Sequence, residues 1–529
     1  MNFLFYESGR RTYYIGRANG KNENIGWHVK GKMGGLWIDN TRLISSITLL
    51  KGSEVLVSDK FVNNIYHKSL IFGETQLEFA AHPNEPAFSV QLSNYQPEHV
   101  LKICVDPSAT WLKHESFNPV LKIKRKRTGA VVTISLNAKR KFVLHTNTSL
   151  IGIRDREIII TPSSNPLTCV ICDHGIDFSF DEIVNAKNSF YSRYLPQYRK
   201  DITFWVQLNA LDLYFARESG EGYAAGLPEF PWWFGIDSVY TGLGLLHTPQ
   251  IELVKASIEN LAKHGNGVAP HEVTLTGHVY AKARTNEIPA FAYLVTRYVS
   301  LTDELYLMEL VDRAFEKLFN ILNDDGYPVG EGVVEVPGTS NFAMLDTASW
   351  FYALMLELND TGLINHLRYS AQAKVLLEKL QGNFPNIWNN GELFYDAVSG
   401  EKRLFEGHFI QIYPLTFGLV PKELGKKVIK RMKKEGFFTE KGMIHSLPLN
   451  IFEAGEYGPT DKNSIVWSLP TILALKAAKN YEDVELEIKM LEALNSALKR
   501  GMPGSIPEIL PEGGCIVQAW NAFLADVLR

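Results

Sequence analysis

Cysteine is scarce: four residues, Cys104, Cys169, Cys172 and Cys515, in a chain of 529. A disulfide framework is excluded at that density, and the usage suits a reducing compartment. Cys169 and Cys172 form a CxxC, but no second pair and no His-x-x-x-His accompanies them. They lie in the apolar run Leu167 to Cys172, where an extended strand would turn the two thiols to opposite faces and leave no zinc-type site. Positive charge is not in excess either, since 54 Lys and Arg stand against 58 Asp and Glu for a net charge of −4. No polyanion-binding field follows, so nucleic acid is not expected as a partner. The one basic run, Lys122 to Arg127, alternates and turns at Gly129, which predicts an exposed edge strand. Also missing is any run of about eighteen apolar residues, and the amino terminus carries no basic leader. A cytoplasmic protein with no membrane partner is the expectation. There is no Walker loop, no G-x-S-x-G elbow and no dinucleotide fingerprint, so neither a cofactor nor a metal is implied.

Aromatic residues, in contrast, make up 12% of the chain, with ten Trp and twenty-two Tyr. A large core accounts for most of them, and the surplus suits stacking on the flat faces of sugar rings. At this length two or three domains are expected. From Arg11 to about Ile176 the pattern has the short period of strands, as in Leu121-Lys122-Ile123-Lys124 and Val131-Val132-Thr133-Ile134, separated by Gly, Asn, Asp and Pro turns. That predicts a β-sandwich over residues 1–176. Beyond it the period becomes helical, in stretches such as Phe204 to Phe215, Glu252 to Leu261, Pro289 to Tyr298, Thr347 to Leu358 and Ile465 to Ala478. Nothing sheet-like of comparable length is expected among them. About ten to twelve helices fit residues 177–529. With no repeat of fixed period to support a solenoid, a closed toroid of helix pairs fits better, its active loops at one end.

Five links concentrate acids, Trp and Gly. The first runs from Gly226 through Trp232 and Trp233 to Asp237, which could either cap the next helix or grip sugar hydroxyls beside a Trp wall. The second leads from Gly265 and His271 to Glu287, just before Pro289. First-turn charge explains Glu287 as readily as sugar binding does, and His271 reads as structural. The third holds Glu331 and Glu335 in a Gly and Pro loop before Asp346. Glu335, between Val334 and Val336, is either a hairpin acid facing water or a carboxyl whose pKa rises enough to donate to a leaving oxygen. The fourth runs from Glu453 and Glu456 to Trp467. The fifth is the tail, where Glu508 sits between Pro507 and the Gly513-Gly514 pair ahead of a closing amphipathic helix. Glycoside hydrolysis is the chemistry that needs two carboxylates and little else.

Taken together these segments resemble the amylo-alpha-1,6-glucosidase, or glycogen debranching enzyme glucosidase domain, family and its archaeal relatives. Met33-Gly-Gly-Leu-Trp-Ile-Asp39-Asn-Thr41-Arg42-Leu43 looks like the family's G-hydrophobic-x-x-D-T-R signature. Phe230-Pro-Trp-Trp-Phe-Gly-Ile-Asp237-Ser238 is similar to its P-W-F…G-R-D-T segment. Ser505-Ile-Pro-Glu508-Ile…Gly514-Cys515-Ile-Val-Gln518-Ala519-Trp520 looks like S-I-S-E-I…G-C-x-x-Q-A-W, the most specific of the three.

The resemblance implies an N-terminal β-sandwich followed by an (α/α)6 toroid, a six-hairpin glycosidase, and inversion at the anomeric carbon. Glu508 would be the general base, with Asp237 and Glu287 holding the sugar and Trp232, Trp233, Asp346 and Trp467 completing the substrate site. The family's acid is an Asp in a T-W-M-D loop that this chain lacks. By order along the chain the Glu331 to Glu335 loop takes that place, and Glu335 is the expected acid. Ile236 replaces the Arg of G-R-D-T, which leaves the specificity open. The expected activity is an exo-acting α-glucosidase working on α-glucan or oligosaccharide ends, of undefined oligomeric state. The alternatives are a disaccharide phosphorylase of the same architecture and a carbohydrate-binding protein without chemistry.

Overall fold

The computed structural model describes residues 2–21, 24–28, 31–109, 117–173, 178–196, 201–334, 339–447 and 465–529. Strands fill the first third of the chain and assemble into two antiparallel sheets, each of eight strands. Their alternating apolar residues, such as Leu77, Phe79, Val90, Leu92, Val132 and Ile134, are fully buried between the sheets. This period-two burial is what commits such segments to strands rather than helices. The basic strand Val120–Lys126 lies at an edge with its cationic side chains exposed, as its alternation predicts. In the strand Leu167–Asp173, Cys169 faces the main core while Cys172 packs with Phe180 and Ile183 on the other side. Neither forms a disulfide, and burial pushes the Cys169 thiol up to about 12.

Helix α1 (Phe180–Tyr194) opens on a capping box in which the Ser179 hydroxyl accepts from the Glu182 N–H. It lies against the strands Thr75–Ala81 and Ala87–Ser93 and clamps sandwich to helices through a buried polar knot. The fully buried Lys187 ammonium donates to Glu7 Oε1 at 2.5 Å and to the Ser8 carbonyl at 2.8 Å. Tyr6 donates to Asp212 Oδ2 at 3.0 Å, and Tyr191 donates to the other oxygen of the same carboxylate.

Among the described residues twelve helices follow: α2 (Ile202–Asp212), α3 (Gly235–Leu245), α4 (Ile251–His264), α5 (Glu287–Thr302), α6 (Met308–Phe319), α7 (Leu345–Asp360), α8 (Ser370–Trp388), α9 (Tyr413–Thr416), α10 (Lys422–Glu435), α11 (Ser468–Asn480), α12 (Val484–Arg500) and α13 (Phe523–Val527). The odd-numbered ones from α3 to α13 touch in sequence, and α13 returns to α3, closing a ring. The even-numbered ones form the outer layer. Composition separates the layers: all eleven residues of α3 are buried, whereas α10 buries only the stripe Gly425, Val428, Ile429 and Met432 beneath a lysine-rich face. The chain is therefore a β-sandwich followed by an (α/α)6 toroid.

One element departs from the sequence reading. A six-stranded sheet, built around Gly220–Leu227 and Phe230–Phe234, lies within the helical region. Its glycines and Pro228 read as loop punctuation. The strand Val517–Gln518 that pairs with Gly226 and Leu227 comes from the far end of the chain, a pairing that local periodicity does not reveal.

Lys187→Met removes the closer of two buried ammonium partners of Glu7, leaving Lys68 at 3.7 Å, and is expected to cost about 3 kcal/mol in urea unfolding. Adding Glu7→Gln should recover part of that loss.

Candidate active site

Three inner helices begin with a buried acid. Asp237 is the third residue of α3, Glu287 the first of α5 and Asp346 the second of α7, and none is more than 4% exposed. Helix N-termini offer unpaired N–H groups and a positive dipole end, so a carboxylate is tolerated there better than elsewhere in a core. Asp237 does not cap its helix: position 234 precedes α3 and no side-chain cap bond is made. Its Oδ1 instead accepts from Gln518 Nε2 at 2.9 Å. Glu287 accepts from the Arg284 N–H at 2.8 Å, and its other oxygen lies 2.8 Å from His271 Nδ1. Asp346 Oδ2 accepts from the Val333 N–H at 2.7 Å, with Gly332 packed against the carboxylate.

The tail supplies a fourth acid. Glu508 is 2% exposed, which rules out the charged surface turn that its local sequence would allow. Its N–H donates to the Cys515 carbonyl at 2.8 Å, and its Oε2 accepts from the Cys515 N–H at 3.0 Å. The Ser468 N–H, at the start of α11, donates to its carbonyl at 2.9 Å. Gly514 has φ +61°, and any side chain there would overlap the Glu508 carboxylate. The elements that follow, the 3-10 turn Ala519–Ala522 and α13, are buried in the inner ring rather than amphipathic.

These acids act on one another. Burial, reinforced by the charge of Glu508, pushes Asp237 up to about 7, although His271 and Gln518 pull it back. Burial likewise pushes Asp346 up to about 6 against the stabilising N–H groups of Val333 and Thr347, with Asp396 adding to the rise. Burial draws His271 down, but its hydrogen bond to Glu287 and the charge of that acid outweigh it, and the net shift is upward. His445, buried beside His408, falls to about 3 and stays neutral against Trp467.

Adjacent Trp residues part company here, because successive side chains of a strand point to opposite faces. Trp232 stacks on Phe234 at 5.9 Å and donates to Glu272 Oε2 at 3.0 Å, while Phe234 meets His271 edge-on at 5.5 Å. Trp233 is 0% exposed, donates to the Gly222 carbonyl and packs on His264, so it is a core residue without a face to offer a sugar. Trp467 is half-buried, stacked on Trp520 at 6.1 Å. Glu331 has an exposed side chain, and its carbonyl accepts from the Asn286 N–H at 3.2 Å, which ties its loop to the start of α5. Glu335, Glu453 and Glu456 lie outside the described residues.

The sequence reading set His271 aside as structural, yet it is the partner of Glu287. Gln518 and Cys515 stood in the tail string without a role, and they hold Asp237 and Glu508. The only sequence signal for either is its place in that string. Among the described residues no group of three or more His, Cys, Asp and Glu is arranged to hold a metal ion, and no helix is long and apolar enough to cross a membrane.

No protein-family model matches the chain, and no curated protein matches it in sequence. Among solved structures it is similar to a bacterial glucoamylase crystallised in complex with acarbose, with a TM-score of 0.69. The match covers 99% of this chain and 92% of that one at 10% sequence identity. Likeness at that identity establishes shared architecture, the sandwich followed by the helical toroid.

An acid whose pKa is raised on folding destabilises the fold increasingly as pH climbs from its unfolded value, near 3.9, and the cost is complete once pH exceeds the folded value. Asp237→Asn should therefore raise the thermal midpoint at pH 8 more than at pH 5. The two increments, measured by calorimetry in matched buffers, are expected to differ most across the interval ending near pH 7.

Proposed function

We propose that the protein is an inverting, exo-acting glycoside hydrolase that removes α-linked glucosyl units from oligosaccharide or α-glucan ends. The observation that carries this reading is the Glu508 carboxylate, buried at 2% exposure, held by the Cys515 N–H and electrostatically coupled to the buried Asp237. The likeness to a glucoamylase fold supports the sugar chemistry, and the resemblance of the tail and of the Asp237 segment to debranching glucosidases supports the α-glucosyl end.

In this mechanism Glu508 takes a proton from water, which attacks the anomeric carbon from the face opposite the leaving group. Asp237 and Glu287 accept hydrogen bonds from the hydroxyls of the cleaved sugar, and His271 keeps Glu287 oriented. Asp237, near 7, exchanges protonation around neutrality and strengthens its contact as positive charge develops on the ring. Trp232 and Trp467 form the apolar walls. The acid comes from the loop before α7. Glu331, its described member, accepts from the Asn286 N–H through its carbonyl at the start of α5, and Glu335, which lies outside the described residues, is the proposed donor of the proton to the glycosidic oxygen. Inversion requires its carboxyl and that of Glu508 to stand about 6.5–9.5 Å apart in the complex.

Glu508→Gln is expected to lower kcat on maltose or isomaltose by about 10²–10⁴-fold. NMR of the wild-type reaction should show the β-anomer first, and an initial α-product would contradict inversion. Glu335→Gln should lose hydrolysis of sugar leaving groups while sparing α-glucosyl fluoride, whose leaving group needs little protonation. If Glu331→Gln shows that pattern instead, the acid is Glu331. Panose, isomaltose, maltose and limit dextrin, compared side by side, identify the linkage.

A further inference from the structure

The sandwich reaches into the pocket rim. In its segment 24–28 the N–H groups of Trp27 and His28 both donate to the Glu229 carboxylate at 3.2 Å, and His28 Nδ1 lies 3.4 Å from Glu229 Oε2. Glu229 is only 3% exposed and sits in the turn between the strands Gly220–Leu227 and Phe230–Phe234. A buried carboxylate spent on two backbone donors of another domain fixes the position of that segment. Behind it, the Met33 N–H donates to the Ile25 carbonyl at 2.9 Å, and both side chains are buried.

What this anchorage displays is an indole. Trp27 is 45% exposed, its ring stacked on His28 at 3.8 Å. His28 meets Phe230 edge-on at 4.8 Å and Trp232 at 6.3 Å. From Trp232 the rings continue through Phe234 to His271, the partner of Glu287. An unbroken aromatic tract thus runs from the buried acids outward to one exposed indole. The same turn also lies near the proposed base, since the charges of Glu229 and Glu508 both act on the Cys515 thiol, and the Cys515 N–H holds Glu508.

We propose that Trp27 of the sandwich is a sugar-stacking platform on the leaving-group side of the pocket, binding a ring of an α-linked oligosaccharide beyond the unit that is cleaved. The inference rests on the hydrolase reading above. An indole held flat by a ring beneath it and open above offers the apolar face that the C–H side of a pyranose covers. Glu229 and His28 are positioning residues for it, because they fix the segment without facing the sugar.

The test compares maltotetraose with α-glucosyl fluoride, which has no ring beyond the first. In Trp27→Ala the ratio of their kcat/KM values should fall about tenfold, mainly through KM for the tetraose, as befits one lost aromatic contact. Trp27→Phe should restore most of it. Tyr306→Ala removes another exposed aromatic ring, beyond the opposite end of α5, and should leave the ratio unchanged. Equal effects on both substrates, or none on either, would overturn the proposal. Calorimetric binding of maltotetraose to Glu508→Gln, with and without Trp27→Ala, separates the two readings. If the wild type hydrolyses nothing but affinity still falls about tenfold without Trp27, the platform stands and the hydrolase does not. If hydrolysis persists and affinity is unmoved, the platform falls alone, and absence of both binding and hydrolysis sinks both.

Discussion

The structure depends on burying several carboxylates at one end of a ring of helices. Asp237, Glu287, Asp346 and Glu508 are all withdrawn from water, and an unpaired anion in such a place would cost several kcal/mol. Each is made tolerable by backbone N–H groups, a helix N-terminus or a side-chain partner such as Gln518 or His271. The compensation is incomplete, which is why Asp237 and Asp346 rise to about 7 and 6. A pocket stabilised mainly by dipoles keeps its acids reactive, whereas one neutralised by lysines would not.

The toroid makes this arrangement possible. Three of its inner helices, α3, α5 and α7, place a buried acid in their first turn, where the positive end of the helix dipole favours it. The links and helix starts around them carry the glycines that let carboxylates approach. Gly332 packs against Asp346, Gly235 against Glu287 and Gly514 against Glu508. The sandwich is then more than an appendage, because Glu229 draws its segment 24–28 onto the turn before Phe230.

Much of this was legible locally. The shift from period two to helical period separates the sandwich from the toroid, and the exposed basic edge strand and the split CxxC both follow from alternation. Acid-bearing links at helix starts marked Asp237, Glu287, Asp346 and Glu508. What escaped was non-local. The sheet around Phe230–Phe234 depends on a strand from the last residues of the chain. Trp232 and Trp233 looked equivalent until strand geometry turned one toward Phe234 and Glu272 and the other toward Gly222 and His264. His271 looked structural because Glu287, its partner, lies sixteen residues on.

By itself, then, the sequence determined the architecture, because periodicity is a local property that each segment carries with it. It also singled out Glu508, since a carboxylate between proline and paired glycines cannot continue a helix. Only the tertiary structure decided which groups share a pocket, which way each ring faces and what charge each acid holds. Those depend on burial and on Coulomb interactions between residues hundreds of positions apart, and both are set when the ring closes.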